Sequence, residues 1–171
     1  DSGLYNVPAA WRLHGQLDLH ALQQALNELV RRHETLRTVV LADDEYEVVQ
    51  VIAASLELTI KHTDLSAATD PQAQLCSLLQ AEATAPFDLS RGPLVRCGLI
   101  RLAPEEHVLL LTMHHIVSDG WSMGVLMREL QLLYTAFTQG QPSPLAKLPI
   151  QYADYAMWQR EWLQGAALQS Q

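Results

Sequence analysis

The sequence predicts an α/β fold in which strands and helices form layers. Segments with apolar residues at every second position are mixed along the chain with segments whose apolar residues recur at helical spacing. The run from His107 to Val117 is apolar on both alternating faces, as suits a central strand covered on each side.

In chain order, Tyr5, Val7, Ala9, Trp11 and Leu13 recur at a period of two, so Tyr5 to His14 reads as a strand that Gly15 ends. Asp18 has the chemistry of an N-cap. After it, Leu22, Ala25, Leu26, Leu29, Val30 and His33 recur at helical spacing. "LRTVVL" and "YEVVQVI" read as strands around the turn "ADDE", a hairpin, and "LELTIKH" as a weaker strand. Asp70-Pro71 opens a helix to about Ala85, with proline at its first position, where the missing N–H costs nothing. "PFDLSRGP" breaks the pattern. Leu94 to Leu102 and His107 to Val117 follow as strands around "APEE". A long helix begins at Gly120 or Ser122, with an apolar stripe of Val125, Leu126, Leu130, Leu133, Tyr134 and Phe137. "QGQPSPLAKLP" is a linker, and the last helix spans about Ile150 to Leu163.

Composition bounds the function. The chain has 171 residues, enough for one domain or one lobe of a larger one, and it reads as a piece of a longer polypeptide. The net charge of −8 disfavours a nucleic-acid surface, which needs a basic stripe. No run reaches the length of a membrane span. Cys76 and Cys97 have neither metal nor redox spacing, and a reducing compartment is the simplest context for them.

The chemistry concentrates in "TMHHIVSDGWS", Thr112 to Ser122, where two imidazoles, a carboxylate and a glycine meet at a strand end. Neighbouring strand residues point to opposite faces, so His114 and His115 cannot both reach one metal ion without a bulge. No Gly-x-Ser-x-Gly elbow supports a serine nucleophile, although Ser118, Ser122, His115 and Asp119 are close in sequence. Two core histidines without a function is the plain alternative. The convergence of groups at a strand end, where sites of sheet proteins gather, favours a site.

"MHHIVSDGWS", Met113 to Ser122, closely resembles the His-His-x-x-x-Asp-Gly active-site motif of condensation domains in nonribosomal peptide synthetases. "RHETLRT", Arg32 to Thr38, and "YADYAMWQ", Tyr152 to Gln159, resemble two further motifs of that family, in the expected order. "YNVP" and "PFDLSRGPLVR" agree as well. The resemblance implies a chloramphenicol acetyltransferase-like fold of two related lobes, with this chain (residues 1–171) as the N-terminal lobe: a mixed sheet covered by helices. It implies that the second lobe and the family's first motif lie outside this sequence.

The resemblance further implies amide formation between a donor acyl or peptidyl thioester and an acceptor aminoacyl thioester. Both substrates would ride on phosphopantetheine arms, so the domain itself would bind no cofactor. Upstream donor and downstream acceptor carrier domains, the second lobe and an adjacent adenylation domain are the implied partners, and the cytoplasm the implied location. His115 is the implied catalytic residue, as base or as positioner of the amine. His114, Asp119, Gly120 and Arg37 would support the motif, with Asp119 ion-paired to an arginine. In "LRTVVL" Arg37 shares a strand face with Val39 and Leu41, and an arginine on an apolar face needs a partner, so Arg37 is the first candidate and Arg32 the second. Trp121 and Ser122 would line the substrate channel, with packing an equal alternative for Trp121. His33 and Glu34 would support local structure, and Tyr152, Asp154 and Trp158 would pack the last helix. A starter condensation domain with a fatty acyl donor and a non-catalytic lobe that docks carriers remain open. His114-His115 disfavours heterocyclisation, and "SDGWS" suits condensation better than epimerisation.

Overall fold

In the computed structural model, which describes residues 3–42 and 47–163, strand β1 (Asn6–His14) ends at Gly15. Gly15 has φ of 98°, a conformation that glycine adopts without steric cost. Asp18 then caps helix α1 (Leu19–Arg32), its carboxylate accepting the Ala21 N–H. The stripe of Leu22, Ala25, Leu26, Leu29 and Val30 is buried, whereas His33 leaves the helix as its C-cap. A short 3-10 helix, Glu34–Arg37, follows before strand β2 (Thr38–Ala42). Arg37 therefore does not lie on the strand where its alternation with Val39 and Leu41 had put it.

β2 pairs antiparallel with β3 (Val48–Ile52) in a two-stranded sheet of its own, the expected hairpin. Its expected turn, residues 42–45, begins at the last residue of β2, and 43–45 lie outside the described residues. The weak strand forms four residues later than its apolar pattern suggested, as β4 (Ile60–Asp64). Asp70 caps helix α2 (Pro71–Thr84) by accepting the Ala73 N–H.

Strands β5 (Val95–Ala103) and β6 (Glu106–His114) make an antiparallel hairpin, and the main sheet has the order β1-β6-β5-β4. The β4–β5 pair is parallel, so the sheet is mixed. β6 is central and buried along its interior. Leu109, Leu111 and Met113 on one face pack with Leu22, Leu26 and Leu29 of α1 and with Leu126, Leu130 and Leu133 of α3 (Gly120–Thr138). Val108 on the other face joins Ile100, Leu65 and Leu75 of α2. Each leucine fully removed from water contributes about 1.5–3 kcal/mol, so these two layers fix the end of β6 firmly.

The last helix, α4 (Tyr152–Trp162), buries no residue. Tyr152 and Trp158 are 51% and 55% exposed, so they do not pack α4 onto the sheet. The rings instead form a ladder along the helix, with Tyr155–Trp158 and Trp158–Trp162 centroids 5.8 and 5.9 Å apart. Asp154 accepts the Gln151 N–H in a capping box, and the Gln151 side chain reaches the Arg32 carbonyl and the Glu34 N–H, tying α4 to the end of α1.

Candidate active site

β6 ends at His114, three residues before the end that its apolar run suggested. Its pairing extends one bond further: the His115 N–H donates to the Tyr5 carbonyl at 2.8 Å. The chain then turns on His114. The His114 carbonyl accepts from the Val117 N–H at 3.0 Å and from the Ser118 hydroxyl at 3.2 Å. The ring Nδ1 accepts the Ile116 N–H at 3.1 Å. An imidazole that accepts at Nδ1 carries its proton on Nε2.

The two histidines are thus unlike. The His114 ring is half-buried between Tyr5 and Phe87, with centroids 6.0 and 6.1 Å away. Its pKa is lowered, first by burial and then by the charge of His115. The His115 side chain is exposed at the strand end. Alternation at the strand end and the three bonds made to His114 explain the split: one ring is built into the turn and the next is presented by it.

Asp119 caps α3. Its carboxylate accepts from the N–H and the hydroxyl of Ser122. These two bonds hold the carboxyl below its ordinary pKa, with smaller help from His115 and the Trp121 N–H. Among the described residues no hydrogen bond joins Asp119 to His115. Gly120 is the first residue of α3, and a Cβ there would meet nothing within 4 Å. Trp121 is 83% exposed. Trp121 and Ser122 line a recess of about 150 Å³ together with His33, Thr35, Leu36 and Val117, so the motif loop and the "RHETLRT" segment face each other.

The expected ion pair of Asp119 with Arg37 is not formed. Arg37 donates to the Glu34 carboxylate at 3.1 Å and to the Ala53 carbonyl, because the 3-10 helix turns it towards the exit of β3. Asp119, exposed at the head of α3, spends its oxygens on Ser122. The charged contact between the "RHETLRT" segment and α3 is made ten residues further on. Arg32 Nε lies 3.1 Å and His33 Nε2 2.6 Å from the Glu129 carboxylate. Glu129 was missed by reading the sequence. Its signal was there: it is the polar member of the stripe Leu126, Leu130, Leu133.

The family model of the Condensation domain matches residues 1–171. This chain belongs to that family. A linear gramicidin synthase of Brevibacillus parabrevis is 48% identical over 100% of the chain and 2% of its own length. Malpibaldin synthetase of Mortierella alpina is 49% identical over 99% of the chain and 3% of its own length. Among solved structures, the X-domain from teicoplanin biosynthesis superposes with a TM-score of 0.86 at 35% identity, over 94% of this chain and 34% of that one. Its complex with OxyB gives 0.82 at 36%, over the same shares. The first condensation domain of the CDA synthetase gives 0.83 at 25%, over 96% and 42%. The chain thus spans a small share of its curated relatives and about a third to two-fifths of these solved ones. The condensation domain is of the nonribosomal peptide synthetase type, with the chloramphenicol acetyltransferase-like α/β fold.

Proposed function

We propose that this chain is the N-terminal lobe of a condensation domain that joins two carrier-bound substrates through an amide bond, with His115 at the chemistry. The observation that carries the reading is the exposed His115 ring, presented at the end of a buried strand by a turn built on His114.

The acceptor's α-amine attacks the donor thioester carbonyl. The C–N bond forms, the C–S bond breaks, the donor thiolate leaves and the amine loses one proton. An α-amine has a pKa of about 7.7–8.0, so freeing it at pH 7 costs only about 1–1.5 kcal/mol. Holding two tethered reactants in line is the larger task. His115 serves it by accepting the amine proton or by fixing the amine's direction. Asp119, Gly120 and Ser122 shape the loop, and Trp121 and Ser122 form a wall of the substrate path. Phosphopantetheine arms of donor and acceptor carrier domains bring the substrates, and this lobe holds no cofactor of its own. The second lobe supplies the opposite wall, an adenylation domain is the neighbour that loads the acceptor, and the assembly works in the cytoplasm.

A docking role without catalysis is the second reading, favoured by the 36% identical X-domain solved in complex with OxyB. Turnover separates the two. Loaded donor and acceptor carriers are incubated with the full condensation domain, with its His115→Ala variant and with residues 1–171 alone, and the products are weighed by mass spectrometry. Amide product from the full domain, lost in His115→Ala and absent with the lobe alone, supports catalysis. Undiminished product from His115→Ala would defeat it.

A further inference from the structure

The motif turn rests on the orientation of one ring. His114 accepts the Ile116 N–H through Nδ1 at 3.1 Å, and its carbonyl takes the two other bonds that close the turn. Rotation of the ring by one rotamer removes the Nδ1 acceptor and releases the residue next to His115. What fixes the ring comes from outside the motif. Tyr5, 59% exposed, flanks it on one side. Phe87 is buried and meets it edge-on, at an interplanar angle of 88°. The guanidinium of Arg96 lies 3.8 Å above the Phe87 ring, within cation–π range.

Arg96 is itself over-determined. It pairs with the Glu82 carboxylate and donates to the carbonyls of Glu82, Ala85 and Pro86 at 3.0–3.2 Å. The last turn of α2 and the loop after it are thereby clamped to β5, and Phe87 is held under a fixed plane. Gly92, with φ of 55°, lets the chain double back so that Phe87 before the turn and Arg96 after it meet. A column results, from α2 through Arg96 and Phe87 to His114, and from His114 through the turn to His115.

We propose that Phe87 and Arg96 are positioning residues for condensation, acting through the His114 ring to fix the turn that presents His115. The proposal rests on the catalytic reading of His115. Among the described residues no hydrogen bond, ion pair or ring contact joins either residue to His115; their effect is on its direction.

The test uses the full condensation domain, assayed with loaded donor and acceptor carriers. Phe87→Leu removes the edge contact with little change in volume, and Arg96→Met removes the cation while keeping a long side chain. Phe87→Tyr is the conservative control. A misplacement of about 1 Å remote from the chemistry can cost about 10²-fold in rate, so kcat is expected to fall by about 10–10²-fold in Phe87→Leu and Arg96→Met, with KM for the acceptor carrier little changed. In ¹⁵N-histidine spectra the His114 Nδ1 resonance is expected to leave its acceptor position in both variants, and Phe87→Tyr to restore spectrum and rate together. A wild-type kcat in either folded variant overturns the proposal. So does a fall in kcat with the His114 resonances unmoved, because the effect then bypasses His114. If Phe87→Leu does not fold, Arg96→Met decides on the same readouts, and loss of fold in both overturns a positioning role. His115→Ala in the same assay keeps the two ideas apart: its full activity sinks the catalytic reading, whereas its inactivity beside a normal Phe87→Leu sinks only the proposal.

Discussion

One oxygen of Asp119 holds both the backbone and the side chain of Ser122, at 2.7 Å from the nitrogen and 2.5 Å from the hydroxyl. The motif carboxylate is therefore occupied with starting α3 rather than with orienting His115. Asparagine caps helices about as well as aspartate, and alanine does not. Asp119→Asn is expected to leave amide exchange at Ser122 and Met123 slow, and Asp119→Ala to speed it. The carboxyl's pKa is depressed in the folded chain, so the cap's contribution is complete above the ordinary value of 3.8 and is lost as pH falls through the lower folded value. Protection of Ser122 that already fails well above pH 3.8 would contradict this assignment.

Arg37 and Asp119 are expected to be energetically independent. Each has its own partners, Glu34 and Ala53 for one, Ser122 for the other. Sites that share no partner add within about 0.3–0.5 kcal/mol. A double-mutant cycle of Arg37→Met and Asp119→Ala by chemical denaturation checks this. A larger coupling would restore the ion pair that the sequence suggested.

His114 makes stability pH-dependent. Its pKa is lowered in the folded chain, so the unfolded chain binds the proton more readily. Its contribution is then complete above the ordinary value of 6.5 and is lost as pH falls from there through the lower folded value. His114→Asn offers an oxygen to the Ile116 N–H and cannot titrate. The difference between the two proteins' unfolding free energies should therefore change across that window and be flat above it. A difference that is constant from neutral pH downwards would mean that the ring is free to protonate.

The fold was legible wherever a local rule and the packing agreed. Asp18 was readable as a cap, Asp70-Pro71 as a helix start, the stripes of α1 and α3 as buried faces, and β6 as a covered strand, because each is set by its own few residues. What failed depended on partners distant in sequence. Arg37 alternates with Val39 and Leu41, yet a 3-10 turn intervenes and hands it to Ala53. β6 reads as extended to Val117, yet the bonds on His114 close it into a turn. The two histidines were separable by alternation alone, but nothing local announced Phe87 or Arg96 beside them. Their signal, "PFDLSRGPLVR", was a string without a geometry until α2 and β5 brought its ends together.

Glu129 is the most consequential charge that the pattern did not reveal. Its side chain is 9% exposed and that of Arg32 11%, and His33 completes the group at 2.6 Å. Arg32 also holds the Ala146 carbonyl through its guanidinium and the Gln151 side chain through its own carbonyl. The group therefore joins α1, α3 and the segment leading into α4. Removing one partner of such a pair leaves a buried charge unpaired, at about 3–5 kcal/mol, against a typical domain stability of about 5–15 kcal/mol. Glu129→Ala is expected to destabilise by that amount and to open residues 139–151 to proteolysis under native conditions. Replacing both charges by apolar groups removes the unpaired partner as well, so Arg32→Met with Glu129→Leu should cost less than the sum of the two single changes, with a coupling of about 0.5–3 kcal/mol. Chemical denaturation of the four proteins measures it. A Glu129→Ala cost within about 1 kcal/mol, the range of exposed pairs, would mean that water reaches the group and that the clamp on α4 lies elsewhere.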